Sequence, residues 1–286
     1  MLMPRLRTLL MLGRVSNLPT VWSNCLAAGI LSGGGEGKKL ALILASGSSL
    51  YLGGMFLNDA CDADFDHCQR PERPIPSGII TRGTVWAWSL ALLLAGLLLA
   101  AALGGRAFIC ALTLLAAIVA YDLWHKRHFF TLGLMAGCRA LLYIFAGIAV
   151  AGTVSHCVLA AAGGMAAYIF GISLLARHEN GISRPPKWPA LLLVMPVLPI
   201  GLHLCAKNVA ATAIGLVTFI VWLGITIVQL WRPEPQTGRA VGRLLAAIVL
   251  ADWLQVAAVA PFLPHVILWT ALFGLTLWLQ RRVPAT

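Results

Sequence analysis

The sequence predicts an all-α polytopic membrane protein, and three observations carry that prediction. Of its 286 residues 59% are hydrophobic and only 11% charged, against roughly a quarter charged in a soluble domain, and the mean hydropathy is +0.86. Apolar segments of about 16–22 residues recur along the chain, the length of membrane-crossing helices rather than the ten-residue alternation of β-barrel strands. Threading those segments from a cytoplasmic N-terminus puts sixteen lysines and arginines on one face and four on the other, with Arg139 inside a span. The net charge of +11 is therefore topological. It faces anionic headgroups, and no nucleic-acid partner is expected.

The spans fall near 15–33, 40–58, 84–103, 106–123, 132–151, 157–176, 188–206, 210–231, 244–260 and 265–280. The last two are one kinked structure or two helices, because Pro261 and Pro264 lie between them. The N-terminal fourteen residues carry Arg5, Arg7 and Arg14 with no small-residue cleavage site after them, so no cleaved signal peptide is read there. The outer connections are tight (Gly104-Gly105, Gly152-Thr153), whereas 59–83, 124–131, 177–187 and 232–243 are long, polar and cytoplasmic. Function is expected at that mouth, where loops converge. Gly53-Gly54 and Gly163-Gly164 read as close helix packing. Seven scattered cysteines without a CxxC pair indicate neither a disulfide framework nor a zinc site. Residues 1–286 read as a single domain with no internal repeat.

The chemistry concentrates at the end of the second span. Five of the ten acidic residues lie between Asp59 and Glu72, followed at once by Arg70 and Arg73. If the helix runs on, 100° per residue places Asn58, Asp59, Asp62 and Asp66 in one sector of about 100°, with Asp64 pointing away. Carboxylates crowded on one face repel unless a cation lies between them. An all-oxygen set suits a hard divalent ion, Mg²⁺ above all when phosphate completes the shell.

Two further cytoplasmic stretches face this cluster in the threading. Tyr121-Asp122-Leu123-Trp124-His125-Lys126-Arg127-His128 follows the fourth span. Lys126 suits phosphate as a point charge, Arg127 as a bidentate fork, and Tyr121 lies about a turn deeper. His125 and His128 lack acidic or thiol companions and read as interfacial rather than zinc-binding. After the sixth span, Arg177-His178-Glu179-Asn180 offers one carboxylate, Glu179, to complete a metal shell. Arg14 and Asn17, one turn apart at the entry to the first span, are placed to hydrogen-bond a polar group. Asp252 lies mid-span, where a charge costs on the order of 2.5–3.5 kcal/mol, so it is protonated or paired. Gly33 to Lys39, GGGEGKK, is one residue short of a phosphate-binding loop and falls on the outer side.

Asn58-Asp59-x-x-Asp62-x-x-x-Asp66, followed by Arg70-Pro71-Glu72-Arg73-Pro74-Ile75-Pro76-Ser77-Gly78, resembles the first aspartate-rich motif of the UbiA superfamily of intramembrane prenyltransferases. Arg14-x-x-Asn17 resembles that family's first-helix signature, and Tyr121 with Lys126 its tyrosine–lysine motif. The match of span order covers nearly the whole chain. The resemblance implies a bundle of nine or ten transmembrane helices around a central cavity that opens sideways to lipid under a cytoplasmic cap. It implies a Mg²⁺-dependent transfer of a prenyl group from a polyprenyl diphosphate to a small aromatic or polar acceptor. Asn58, Asp59, Asp62, Asp66 and Glu179 would hold the metal, and Arg70, Arg73, Lys126 and Arg177 the diphosphate. Arg14, Asn17 and Tyr121 would face the acceptor, with Asp62, Asp66, Lys126 and Tyr121 carrying the reaction. The expected setting is the bacterial inner membrane, N-terminus and acidic motif on the cytoplasmic side.

One departure stands out. The family's second motif, DxxxD after the sixth helix, is replaced here by Arg177-His178-Glu179-Asn180-Gly181-Ile182-Ser183, with one acid instead of two. Together with the Asp122-bearing YDxxxK stretch and Gly137-Cys138-Arg139, this resembles a divergent branch such as the EboC-like proteins. The same diphosphate site would also serve a terpene cyclase or an isoprenoid diphosphate phosphatase. A transporter or lipid-binding protein would want inverted repeats and charges lining a path, and beyond Asp252 and Arg139 the sequence offers neither.

Overall fold

A computed structural model describes residues 2–124, 130–177, 186–203, 208–231, 237–259 and 262–283. Ten α-helices account for most of them: α1 (Leu2–Leu12), α2 (Leu18–Leu31), α3 (Gly37–Gln69), α4 (Arg82–Ala102), α5 (Gly105–Trp124), α6 (Thr131–Ala151), α7 (His156–Ala176), α8 (Val209–Leu230), α9 (Thr237–Ala257) and α10 (Phe262–Gln280). A short 3-10 turn, Val15–Asn17, joins α1 to α2, and a long 3-10 segment, Trp188–His203, stands between α7 and α8. Among the described residues seven helices, α3 to α9, are long and apolar enough to cross a bilayer, which makes the chain a multi-pass integral membrane protein. Trp188–Gly201 and Pro264–Gln280 are shorter apolar stretches. Two helices stand where the sequence also allowed one kinked structure: α9 ends at Ala257 and α10 begins at Phe262, with Pro264 in its first turn, where proline is tolerated.

The exposed side chains of α4, α5 and α8 are overwhelmingly apolar, for example Leu90, Leu94, Leu98, Ile109, Val217 and Val228. That is the surface hydrocarbon demands. With no hydrophobic drive between helices in lipid, close packing must do the assembling. The α3–α4 seam shows how. Ser46 on α3 donates to the Gly96 carbonyl on α4 at 2.8 Å, and Ser89 on α4 returns the bond to Gly53 at 2.9 Å. Between these bonds Leu93 fills the space beside Gly53 and Leu50 the space beside Gly96, so a Cβ at either glycine would lie 2.7 Å from leucine Cγ. Gly54 takes Ile118 of α5 in the same way, at 2.9 Å.

On the other side, Gly164 and Gly171 of α7 let the 3-10 segment lie backbone to backbone. Added Cβ atoms would meet the Met195 carbonyl oxygen at 3.2 Å and the Pro189 carbonyl oxygen at 3.1 Å. Gly163, by contrast, faces nothing within 4 Å, so the packing expected of that pair rests on Gly164. Pro196 and Pro199 remove N–H donors from the segment, and the buried Gln255 amide donates to the Pro196 carbonyl. Helix α9 is buried along nearly its whole length and packs against α2, α7, α8 and α10.

Candidate active site

Helix α3 is where the site begins. Its 33 residues rise about 50 Å at 1.5 Å each, well beyond a hydrocarbon core of about 30 Å. The helix therefore carries its acidic turns past the apolar run, as the 100° register predicts. Asn58, Asp59, Asp62 and Asp66 are all buried, while Asp64 is exposed and pairs with Arg82 at 3.1 Å.

At Arg70 the chain reverses over the end of α3. Backbone bonds from Arg73 to Arg70, from Ser77 to Arg73 and from Gly78 to Ile75, each 3.0 Å, form the turn, and Gly78 takes φ of 74°, a conformation that favours glycine. Thr81 then caps α4, accepting from the Thr84 amide, and Arg82 Nε donates to the Ala60 carbonyl at 2.8 Å. The reversal lays Arg73 across the carboxylates. Its Nη1 lies 2.7 Å from Asp66 Oδ2 and 3.4 Å from Asp59 Oδ1.

Arg14 closes the cluster from the opposite wall, its Nη2 4.0 Å from Asp59 Oδ1. It is the one non-glycine among the described residues with positive φ (42°), a conformation costing on the order of 1–3 kcal/mol. The α1–α2 junction holds it there: the Asn17 amide donates to the Arg14 carbonyl at 2.9 Å, and the Tyr51 hydroxyl reaches the same oxygen at 3.3 Å. Sequence periodicity carries no trace of this strain. Nor does it reveal that Asn58 Nδ2 donates to Asp122 Oδ1 at 3.1 Å, tying α3 to the buried Asp122 of α5.

Arg14 and Arg73 also line a cavity of about 520 Å³, within the range of small-molecule sites. Arg14, Asn17, Arg70, Arg73, Tyr121 and Arg177 line it. All lie where α2 and α4 begin and α3, α5 and α7 end, so they share one end of the bundle. Farther in, the walls are largely apolar: Leu50, Leu114, Ile118, Leu142, Ile169 and Ile172. The structure thus brings together the expected Arg14, Asn17, Arg70, Arg73, Tyr121 and Arg177 around one chamber, and of the α3 cluster Asp59 and Asp66 reach it through Arg73, which lines it. Lys126 and Glu179, with His125, His128, Asn180 and Ser183, lie outside the described residues.

The donors of α3 suit a hard cation in kind, being buried oxygens on one face. Arg73 bridging Asp59 and Asp66 is itself a positive charge held between them. Among the described residues no three His, Cys, Asp or Glu side chains converge closely enough to ligate a metal, and a guanidinium stands within reach of two of the carboxylates.

Asp252, left without a partner by the sequence, is fully buried and accepts from Asn24 Nδ2 at 2.7 Å and from the Ser23 and Tyr143 hydroxyls. Arg139, the other intramembrane charge, lines the cavity wall.

Known proteins share part of this sequence and its fold. A model of the UbiA prenyltransferase family matches residues 16–248. Digeranylgeranylglyceryl phosphate synthase of Thermococcus gammatolerans is 42% identical over 77 residues, 27% of this chain and 28% of that protein. The chain therefore matches less than a third of that relative's length. A UbiA homolog from Aeropyrum pernix K1 has the same fold, with a TM-score of 0.65 at 15% identity over 83% of this chain and 94% of that one. A UbiA homolog from Archaeoglobus fulgidus bound to DMAPP and Mg²⁺ gives a TM-score of 0.53 at 14% identity, over 95% and 98% of the two chains. At these identities the likeness is one of fold.

Proposed function

The chain belongs to the UbiA prenyltransferase family, and from that membership we propose that it transfers a prenyl group from a polyprenyl diphosphate to a small acceptor inside the membrane. The observation that carries this reading is the chamber itself: an apolar cavity whose one polar end gathers four arginines beside a buried carboxylate cluster. The prenyl tail fits the apolar walls and the diphosphate fits the cationic end. The likeness to a fold neighbour bound to DMAPP and Mg²⁺ supports the same assignment.

Each residue then has a task. Arg70, Arg73 and Arg177 bind diphosphate oxygens and neutralise the charge that grows on them as the allylic C–O bond breaks. Asn58, Asp59, Asp62 and Asp66 are the residues to hold Mg²⁺, with Glu179 and Lys126 added from outside the described residues. When bound, the metal supplies Lewis-acid stabilisation of the leaving diphosphate. The apolar walls keep water from the allylic cation, so that the acceptor, not water, forms the new bond and gives up a proton. Arg14, Asn17 and Tyr121 orient that acceptor. We place this end of the bundle and the N-terminus on the cytoplasmic side of a bacterial inner membrane, nine or ten helices crossing, which the sixteen-to-four split of lysine and arginine supports.

The test is turnover of a prenyl diphosphate with Mg²⁺ by the full chain in membranes, followed by product analysis. Asp62→Ala and Asp66→Ala each abolish turnover on this reading. Full activity retained by both variants overturns it, and an alcohol or a cyclised hydrocarbon as sole product moves the assignment to a phosphatase or cyclase.

A further inference from the structure

Resting on prenyl transfer as the reaction, we propose that Arg139 selects an acceptor bearing an anionic group, a carboxylate or a phosphate, and seats that anion in the cavity inward of the arginine-lined mouth. Arg139 lies eight residues into α6 from Thr131, about 12 Å along the helix axis. It lines the same chamber as the mouth arginines but sits among the deeper walls.

The guanidinium is held from behind. Its Nη1 donates to Asn24 Oδ1 at 2.8 Å and its Nη2 to Thr20 Oγ1 at 3.0 Å. Both partners are fully buried on α2, one turn apart. The Thr20 hydroxyl spends its own proton on the Asn17 carbonyl at 2.6 Å, so toward Arg139 it can only accept. The Asn24 amide is likewise fixed: its nitrogen donates to Asp252, which leaves its oxygen for Arg139. The Tyr51 ring lies 6.0 Å from the guanidinium carbon, within cation–π reach. Two of the five N–H groups are thus engaged among the described residues, and the side chain lines the cavity.

A purely structural role predicts something else. An arginine present to neutralise Asp252 would touch it, yet no ion pair joins the two among the described residues. Asp252 is satisfied by Ser23, Asn24 and Tyr143, and the hydrogen-bonded link between it and Arg139 runs through Asn24. The outcome is a cation stabilised at a distance with donors to spare, the arrangement that reads a planar anion bidentately. The reaction points the same way. A cationic wall opposes a nearby allylic cation, and an acceptor anion resting on Arg139 removes that opposition while holding the nucleophile in place.

The experiment uses the purified full chain in lipid nanodiscs, with and without geranyl diphosphate and Mg²⁺. Two matched pairs are titrated calorimetrically: benzoate against benzamide, and glycerol 1-phosphate against glycerol. The anion of at least one pair binds at least about tenfold more tightly than its neutral mate, the worth of a charge-assisted hydrogen bond, and the pair that responds names the anion. Arg139→Gln weakens that anion by about ten- to a hundredfold while geranyl diphosphate affinity stays put, and Arg139→Lys recovers part of the loss. Should Arg139→Gln fail to assemble, Arg139→Lys carries the test by weakening the anion through loss of the fork. Neutral and anionic probes binding alike in both pairs, or an anion preference surviving in the variants, overturns the inference. Failure of the wild type to bind geranyl diphosphate with Mg²⁺ counts instead against prenyl transfer, since the anion titration without diphosphate is read separately.

Discussion

Arg73 is both a rival and an ally of the metal, and replacing it separates the two roles. In Arg73→Met the side chain keeps an unbranched apolar stem and loses its charge, so Asp66 loses a partner at 2.7 Å and Asp59 one at 3.4 Å. At an effective dielectric of about 20, a unit pair at these distances attracts by roughly 5–6 kcal/mol, most of which desolvation cancels. The Arg73 side chain is 21% accessible and that of Asp66 4%, so the net worth is that of a hydrogen bond between charged groups, about 1.5–3 kcal/mol. A divalent ion entering the cluster no longer has to displace that bond. Without diphosphate, Mn²⁺ affinity followed by electron paramagnetic resonance in nanodiscs should therefore rise by about ten- to 150-fold. At saturating metal, geranyl diphosphate should bind about tenfold more weakly, because one guanidinium facing the pyrophosphate is gone. Opposite signs are the signature. Mn²⁺ affinity that is unchanged or lower in Arg73→Met would refute the idea that the arginine stands where the cation binds.

Two other substitutions test the frame around the site. Asp252→Ala removes the common acceptor of Ser23, Asn24 and Tyr143 and should cost about 2–5 kcal/mol, the sum of several buried donors left unmet in a bundle where each is worth about 1 kcal/mol. Unfolding in mixed detergent micelles reads that loss, and a variant as stable as wild type would show that the network contributes nothing. Gly53→Val sets a Cβ 2.7 Å from Leu93 Cγ and 3.0 Å from the Leu93 amide, so α3 and α4 must part at a cost of about 1–3 kcal/mol. Gly133→Ala meets nothing within 4 Å and serves as the neutral control in the same unfolding assay.

Much of the site was legible because helices convert spacing into direction. Asn58, Asp59, Asp62 and Asp66 share a face by their register alone, and Asp64 leaves that face for the same reason. Arg70 and Arg73 follow within one turn of the helix end, so the chain has nowhere to carry them except back over it. Charge asymmetry placed Arg14, Tyr121 and Arg177 at one end of the bundle without any knowledge of packing. What stayed hidden depends on contacts between helices far apart in sequence. That Arg73 lies between two carboxylates instead of waiting beside them, and that Arg14 adopts a left-handed backbone, are settled by the turn at 70–81 and by the α1–α2 junction, which no periodicity encodes.

Asp252 and Arg139 mark that limit most clearly. Each was expensive at its depth, so each had to have a partner, and the simplest guess pairs them directly. The fold does otherwise. Asn24 stands between them, donating to one and accepting from the other, and 228 residues separate it from Asp252. A direct ion pair would have closed both charges off and left the cavity wall apolar. Interposing an amide links the charges while Arg139 stays in the cavity wall. Removing Asp252 should then disturb the acceptor end of the site through Arg139 without touching the carboxylates of α3, so in Asp252→Asn the preference among acceptors should change more than the affinity for diphosphate.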